Sequence, residues 1–103
     1  MKIAFSVRGV PIRLTSERMS HIVKGHPEME GKEAEILQAI NAPDLVQQGD
    51  SGSLLAIKKF DKTPVTDNKY LVAAYKESSS EDGFVLTAYY SSELKRRSEL
   101  WKS

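Results

Sequence analysis

The stretch Lys69-Tyr-Leu-Val-Ala-Ala-Tyr-Lys76, followed shortly by Phe84-Val-Leu-Thr-Ala-Tyr-Tyr90, indicates the strands of a β-sheet. Both stretches are short and rich in aromatic and β-branched residues, which favour strands. The polar run 77–83 between them is typical of a hairpin connection. We therefore expect two neighbouring antiparallel strands in this part of the chain.

Two more strands are expected upstream, over residues 44–48 and 53–60, and the turn Gly49-Asp-Ser-Gly52 joins them. A loop that contains Thr63-Pro64 and Thr66-Asp67-Asn68 leads on to the strand that begins at Lys69. Together the four strands predict an antiparallel meander.

Two helices are expected before these strands, over residues 16–24 and 31–41. Thr15 offers a side-chain oxygen as N-cap of the first helix, and Gly25 ends it. Pro43 prevents continuation of the second helix. The apolar residues that recur at helical spacing are Met19, Ile22 and Val23 in the first helix and Ala34, Ile36, Leu37 and Ile40 in the second.

The ends of the chain predict short elements. Residues 2–14 indicate a short strand or extended segment broken by the turn Arg8-Gly9-Val10-Pro11, and residues 93–101 predict a final short helix. Helices followed by strands are the α+β pattern. We therefore predict an α+β fold in which two N-terminal helices pack on one face of a four-stranded antiparallel sheet, leaving the other face free for a ligand.

Composition limits the classes of protein that this chain can belong to. Its 103 residues suffice for one domain, 1–103, with a single modest core. The absence of cysteine excludes a disulfide framework and a thiol nucleophile, and two histidines with scattered carboxylates make a poor zinc site, so we expect no metal and no cofactor. No apolar run approaches the roughly 20 residues of a membrane helix, and no signal-peptide pattern is seen, so we expect a cytoplasmic protein without membrane contact.

The net charge of +1 hides separate clusters of charge. Acidic residues gather at 28–35 and 77–82, whereas Lys58 and Lys59 form a basic pair. Because neighbouring residues of a strand point to opposite faces, at most one of these two lysines can serve a given site. A second basic cluster near the end of the chain consists of Lys95, Arg96, Arg97 and Lys102. Each cluster alone is typical of a solvated surface, and phosphate binding would require them to converge.

The two histidines, His21 and His26, lie five positions apart at the end of the first predicted helix. Imidazole exchanges protons near neutral pH without a large environmental shift, so both are candidates for acid–base chemistry. Either histidine alone has an ordinary structural explanation, as a cation at a helix C-terminus or as a residue that shapes a loop. Two histidines flanked by Arg18, Lys24 and Glu28 favour a functional interpretation, because one can tune the other.

Thr87 and Tyr89 are further candidates, on the last strand of the meander. Strict alternation puts them on one face with Val85, and puts the remaining strand residues, Phe84, Leu86, Ala88 and Tyr90, on the other face. One tyrosine is then expected in the core. The hydroxyls of Thr87 and Tyr89 can bind a phosphate, and a tyrosine ring can stack on a base, although strand propensity and packing also explain these residues.

The order of these residues resembles that of small phage-associated and bacterial proteins grouped with the barnase, EndoU, colicin tRNase and RelE-like nucleases, which share the BECR fold. The resemblance covers nearly the whole chain and is most specific in the His-Pro-Glu and Thr-Ala-Tyr elements. The stretches that carry it are Ile12-Arg-Leu-Thr-Ser-Glu-Arg18, His21-Ile-Val, His26-Pro-Glu28, Leu54-Leu-Ala-Ile-Lys-Lys59, Lys69-Tyr-Leu-Val and Gly83-Phe-Val-Leu-Thr-Ala-Tyr89.

This resemblance implies metal-independent RNA cleavage, in which the ribose 2′-hydroxyl attacks the adjacent phosphate and leaves a 2′,3′-cyclic end. On this interpretation His21 and His26 form the proton-transfer pair, and Thr87 and Tyr89 supply hydroxyl donors or a stacking platform. Phosphate charge would be balanced by Arg18, by Lys58 or Lys59, and by one of Lys95, Arg96 and Arg97. RNA is then the expected partner, and an acidic antitoxin or immunity protein the expected inhibitor of a toxin-like ribonuclease.

Two other functions account for the same residues. In a non-catalytic RNA-binding module the cations and aromatic rings bind phosphates and bases, while the histidines only shape the surface. In a phage or bacterial protein-interaction domain, the free face of the sheet docks on a protein partner, and no salt-dependent RNA affinity is expected.

Overall fold

A computed structural model describes residues 1–65 and 69–103, and shows a seven-stranded mixed sheet with two α-helices. The strands lie in the order β1-β2-β6-β5-β4-β3-β7, and every neighbouring pair is antiparallel except β2 and β6, which are parallel. The elements are β1 (Lys2–Phe5), β2 (Pro11–Leu14), α1 (Ser16–Gly25), α2 (Glu33–Asn41), β3 (Leu45–Gln48), β4 (Leu54–Lys59), β5 (Tyr70–Glu77), β6 (Gly83–Ser91) and β7 (Glu99–Lys102), with a 3-10 turn at Pro27–Met29 after α1 and another at Asp50–Gly52.

The predicted α+β class is confirmed, but the predicted four-stranded antiparallel sheet is wrong. The meander itself is present as β3, β4, β5 and β6. Three further strands, each of four residues, extend it: β1 and β2 at one edge and β7 at the other. The sequence indicates a short strand or extended segment within residues 2–14, but the places of β2 and β7 in the sheet depend on partners far away in the chain, which no local pattern indicates.

The final helix predicted over residues 93–101 is also wrong. Residues 92–98, which we name the crossing segment, carry the chain from β6 across the sheet, and Glu99–Lys102 then pairs with β3. The loop predicted through Thr66, Asp67 and Asn68 lies outside the described residues.

Both N-terminal helices are confirmed, and their bounds differ from the prediction by one or two residues. The Thr15 side chain caps α1 by accepting a hydrogen bond from the Arg18 backbone N–H at 3.0 Å. The helices pack on one face of the sheet, where their buried residues join one core cluster with strand residues. From the helical part of the chain, that cluster includes Met19 and Ile22 of α1, Met29 of the 3-10 turn, and Ile36, Ala39 and Ile40 of α2. From the strands it includes Ile12, Leu71, Tyr75, Val85 and Tyr90. None of the helices in the described ranges is long and apolar enough to span a membrane.

The opposite face of the sheet, which we name the outer face, carries a second apolar cluster rather than an open surface. Its centre is formed by Leu55, Ile57, Val72 and Ala74, of which none is more than 9% exposed. Leu94 of the crossing segment packs against this centre. The expectation that this face is free for a ligand is therefore wrong at its centre, and only its margins offer accessible side chains.

A β-bulge in β6 changes which residues reach the outer face. Ala74 lies opposite Thr87, but Tyr75 lies opposite Val85, so that Leu86 is an extra residue in β6. The strict alternation predicted for this strand is consequently wrong. Val85, Ala88 and Tyr90 face the helices, whereas Leu86 and Tyr89 belong to the outer cluster, and Thr87 lies opposite the outer-face residue Ala74. The expectation that one tyrosine is in the core is confirmed by Tyr90, which is 6% exposed.

The β1–β2 hairpin is fixed to the meander by polar contacts and by close packing. Ser6 Oγ donates a hydrogen bond of 2.6 Å to Glu77 Oε2, and the Arg13 guanidinium makes two hydrogen bonds, of 2.8 and 3.0 Å, to the Asp82 carboxylate. Gly83 lies directly opposite Ile12 in the parallel pair. A Cβ at Gly83 would lie 2.5 Å from both Ile12 Cδ1 and the Lys76 carbonyl oxygen.

Gly83→Ala is expected to destabilise the protein by about 1–3 kcal/mol, because the added methyl group meets a backbone carbonyl that cannot move freely. Urea unfolding measures the loss. Gly25→Ala is the matched control, since a Cβ there has nothing within 4 Å, and it should leave the free energy of unfolding unchanged or raise it by up to about 1 kcal/mol. Equal stability of the two variants would contradict the tight β2–β6 contact.

The Arg13–Asp82 pair predicts a pH-dependent contribution to stability. The hydrogen bond from Arg13 lowers the pKa of the Asp82 carboxyl below its ordinary value of 3.8. Stability from a lowered carboxyl pKa is present above the unfolded-state value and is lost as the pH falls through the folded-state value. Asp82→Asn should therefore lower the melting temperature at neutral pH, and its difference from the unchanged protein should shrink as the pH falls below 3.8. Glu81→Gln, at an exposed neighbouring position, should show no such difference at any pH.

Candidate functional site

The candidate site lies along the edge of β6 that β2 leaves uncovered. β2 pairs with only the first two residues of β6, Gly83 and Phe84. After Leu14 the chain leaves the sheet, and α1 lies against the remainder of β6. Arg18 of α1 donates a hydrogen bond from Nη1 to the Leu86 carbonyl oxygen at 3.3 Å. A helix side chain thus binds a backbone carbonyl of this strand edge, and α1 is held beside β6.

His26 is positioned by the end of α1. Its backbone N–H donates to the Ile22 carbonyl oxygen at 2.7 Å, while its backbone has left the helical region, as expected for a residue that precedes proline. The His26 ring lies with its centroid 5.6 Å from that of Tyr89, and the two planes are inclined by 31°. The His26 side chain is 39% exposed, so the imidazole is accessible to a ligand.

Glu28 lies two residues after His26, in the 3-10 turn Pro27–Met29. Its Oε2 lies 3.8 Å from His26 Nδ1, and its side chain is 25% exposed. Glu28 also acts on the helix side of β6: burial raises the pKa of Tyr90, and the Glu35 and Glu28 carboxylates raise it further. Glu28 belongs to the His-Pro-Glu element and flanks the two histidines in the sequence, but its residue type alone does not assign it a catalytic role. The sequence feature that could indicate such a role is the position of Glu28 two residues after a histidine, with a proline between them.

His21 lies on a different surface of α1. Five residues of an α-helix correspond to about 7.5 Å of rise and a rotation of about 140°. The His21 side chain is exposed and makes no hydrogen bond or ion pair with any residue in 1–65 or 69–103. It borders a groove of about 480 Å³ on the exposed side of α1, lined by Thr15, Glu17, Arg18, Ser20, His21 and Lys24. The two histidines are thus not in contact, and Arg18 lies between the groove and β6.

The lysine pair of β4 is divided between the two faces of the sheet. Lys58 Nζ donates to the Ala42 carbonyl oxygen at the end of α2, at 2.9 Å. Lys59 Nζ lies 6.0 Å from the ring centroid of Tyr70, which belongs to the outer cluster. Lys59, and not Lys58, is therefore on the face that Tyr89 occupies.

The basic residues near the end of the chain lie on the crossing segment. Lys95 and Arg96 are exposed, and the Lys95 carbonyl oxygen accepts a hydrogen bond from Gln47 Nε2 at 3.3 Å. Arg97 Nη1 instead makes an ion pair of 3.2 Å with Asp50 Oδ1. Arg97 is thus already paired, whereas Lys95 and Arg96 have ammonium and guanidinium groups without an ion-pair partner in the described part of the chain.

The structure therefore brings together part of the predicted site. Arg18, His26, Thr87 and Tyr89 lie along β6, with Glu28 as an added member. The described residues contain no group of three or more His, Asp or Glu side chains that could hold a metal ion. Of the other predicted residues, His21 borders the α1 groove, Lys59 and Lys95 lie toward the outer face, and Lys58 and Arg97 are engaged elsewhere.

No protein-family model matches this chain, and no curated protein or solved structure matches it. What the site does is therefore inferred from its own geometry and chemistry.

Proposed function

We propose that this protein is an endoribonuclease that needs no metal ion, with its reacting centre at the β6 edge beside the end of α1. The observation that supports this proposal most is the contact between the His26 and Tyr89 rings, whose centroids lie 5.6 Å apart, together with Glu28 Oε2 at 3.8 Å from His26 Nδ1. An accessible imidazole with a carboxylate and a phenol as neighbours is a suitable arrangement for proton transfer.

In the proposed reaction the ribose 2′-oxygen forms a bond to the adjacent phosphorus, and the bond from phosphorus to the 5′-oxygen of the next nucleotide breaks. His26 takes the proton of the 2′-hydroxyl, and the Glu28 carboxylate stabilises the imidazolium that results. Tyr89 gives its phenolic proton to the departing 5′-oxygen. The products are a 2′,3′-cyclic phosphate and a free 5′-hydroxyl, and proton exchange with water restores both side chains.

Arg18 supplies positive charge to the pentavalent phosphorane. One of its donors is fixed on the Leu86 carbonyl oxygen, which leaves the rest of the guanidinium for a phosphate. His21 and Lys24 follow Arg18 at intervals of three residues along the same groove, so the RNA backbone has a row of cationic or polar groups to follow. Binding of this kind weakens steeply as salt is added. The pairing of His21 with His26 that the sequence predicts stays a prediction, which variants of the two histidines can test.

His26→Ala is expected to lower the cleavage rate of total RNA in EDTA by at least about 100-fold, because the general base is lost. RNA affinity should change little, since phosphate contacts come from α1. His21→Ala is the comparison: it should weaken RNA binding while retaining most of the rate at saturating RNA. Gel electrophoresis and fluorescence anisotropy measure the two quantities.

Three results would change this assignment. Equal loss of turnover in His21→Ala and His26→Ala would favour the two histidines as the proton-transfer pair. RNA binding without cleavage by the unchanged protein would favour the non-catalytic RNA-binding module. Absence of salt-dependent RNA affinity would favour a protein-interaction domain.

Glu28→Gln is expected to lower kcat by about two- to fivefold, since the attraction between this carboxylate and the imidazolium, worth about 0.5–1 kcal/mol for a partly exposed pair at 3.8 Å, is lost. KM for RNA should change little, because Glu28 acts on the imidazole whereas the phosphate contacts come from α1. Glu30→Gln is the matched control at an exposed position two residues away, and should leave kcat unchanged. A Glu28→Gln enzyme with an unaltered kcat would contradict the role given to this carboxylate.

An acidic antitoxin or immunity protein remains the inhibitor that we propose. Arg18 and Lys24 line the groove of α1 beside the proposed site, and acidic side chains of a protein partner that bind these cations would block RNA access.

A further inference from the structure

Tyr70 is an aromatic side chain of the outer face that the proposed mechanism does not use. It begins β5 and is half-buried, whereas Val72 and Ala74, the next residues of the same strand on this face, are 3% and 7% exposed. The apolar cluster therefore ends at Tyr70, and this ring lies at its accessible margin.

Lys59 stands beside this ring with a free charge. Its ammonium lies 6.0 Å from the Tyr70 ring centroid, at the outer limit of a cation–π contact. Within the described residues the Lys59 ammonium makes no hydrogen bond or ion pair, whereas the Lys58 ammonium is bound to the Ala42 carbonyl oxygen on the other face. The ring and the charge beside it are thus both available to a ligand.

The strand register puts Tyr70 next to the proposed reacting centre. Val72 lies opposite Tyr89, and Tyr70 lies opposite Ser91, so Tyr70 and Tyr89 are diagonal neighbours on the same face. Diagonal positions of this kind are about 7–8 Å apart. In the RNA strand, the nucleotide next to the scissile phosphate can span that distance.

We infer that Tyr70 and Lys59 form a nucleotide subsite next to the reacting centre, in which an unpaired base stacks on the Tyr70 ring and Lys59 binds the adjoining phosphate. This inference rests on the proposed ribonuclease function and extends it to a substrate class. A base can stack on a side chain only when it is splayed out of a helix, so the substrate is single-stranded RNA rather than a duplex. The phosphate that Lys59 binds is further along the RNA strand than the phosphate that Arg18 binds.

The test measures binding of a short, fluorescein-labelled single strand of RNA whose 2′-hydroxyls are methylated, since methylation prevents the 2′-oxygen from attacking. Tyr70→Leu removes the ring and retains an apolar contact with the outer cluster, and it should weaken binding by about 5- to 100-fold. Tyr70→Phe keeps the ring and should bind like the unchanged protein. A duplex of the same sequence should bind weakly and equally to all three proteins. Thermal unfolding verifies that each variant is folded.

The lysines of β4 provide a matched pair of variants. Lys59→Ala should reduce the slope of log affinity against log salt concentration by about 0.7, the value for one phosphate contact on a single strand. Lys58→Ala removes the same charge one residue away on the other face, and should leave slope and affinity unchanged.

The outcomes separate this subsite from the function on which it rests. If Tyr70→Leu binds the single strand as tightly as the unchanged protein while His26→Ala still loses cleavage, the subsite is overturned and the ribonuclease stands. Weak binding by Tyr70→Phe would overturn stacking, because the ring would then not be sufficient. If the unchanged protein has no affinity for the single strand at low salt, both the function and the subsite are wrong.

Discussion

The parallel pairing of β2 with β6 is the constraint on which the rest of the structure depends. Gly83 makes it possible, since any larger residue would collide with Ile12 and with the Lys76 carbonyl oxygen. Because this pairing stops after two residues of β6, the chain turns at Thr15 into α1 beside an uncovered strand edge. Arg18 then binds the Leu86 carbonyl oxygen, and the end of the helix carries the following imidazole to the aromatic ring of β6.

The bulge at Leu86 is the second determinant of the site. Without the extra residue, the side chains after Val85 would exchange faces. Tyr90 would then lie on the face where Tyr89 now meets His26, and Tyr89 would be buried under the helices. With it, Tyr90 completes the core and Tyr89 reaches the outer face. One irregularity in a strand thus divides two adjacent tyrosines between packing and the proposed chemistry.

The long, periodic elements of this fold could be predicted from the sequence, because α1, α2 and the meander each contain enough residues to show a pattern. The addition of β1, β2 and β7 to the sheet could not, since the β2–β6 and β3–β7 pairs join residues that are far apart in the chain. The site divides in the same way. His26 and Tyr89 were recognisable as candidates by residue type, but their contact depends on a bulge that no glycine marks, and the separation of His21 from His26 depends on where the helix ends.

The β2–β6 ladder has a consequence for how the molecule assembles. It joins Ile12 to Gly83, about seventy residues apart. The entropy cost of closing this large loop must therefore be met before the contacts of the pair stabilise the chain. The hairpins of the meander close far shorter loops, so we expect their contacts to form earlier. An intermediate with a formed meander and an undocked N-terminal hairpin would lack the helix beside β6. The proposed site therefore depends on this long-range pairing, because an undocked hairpin would leave His26 away from Tyr89.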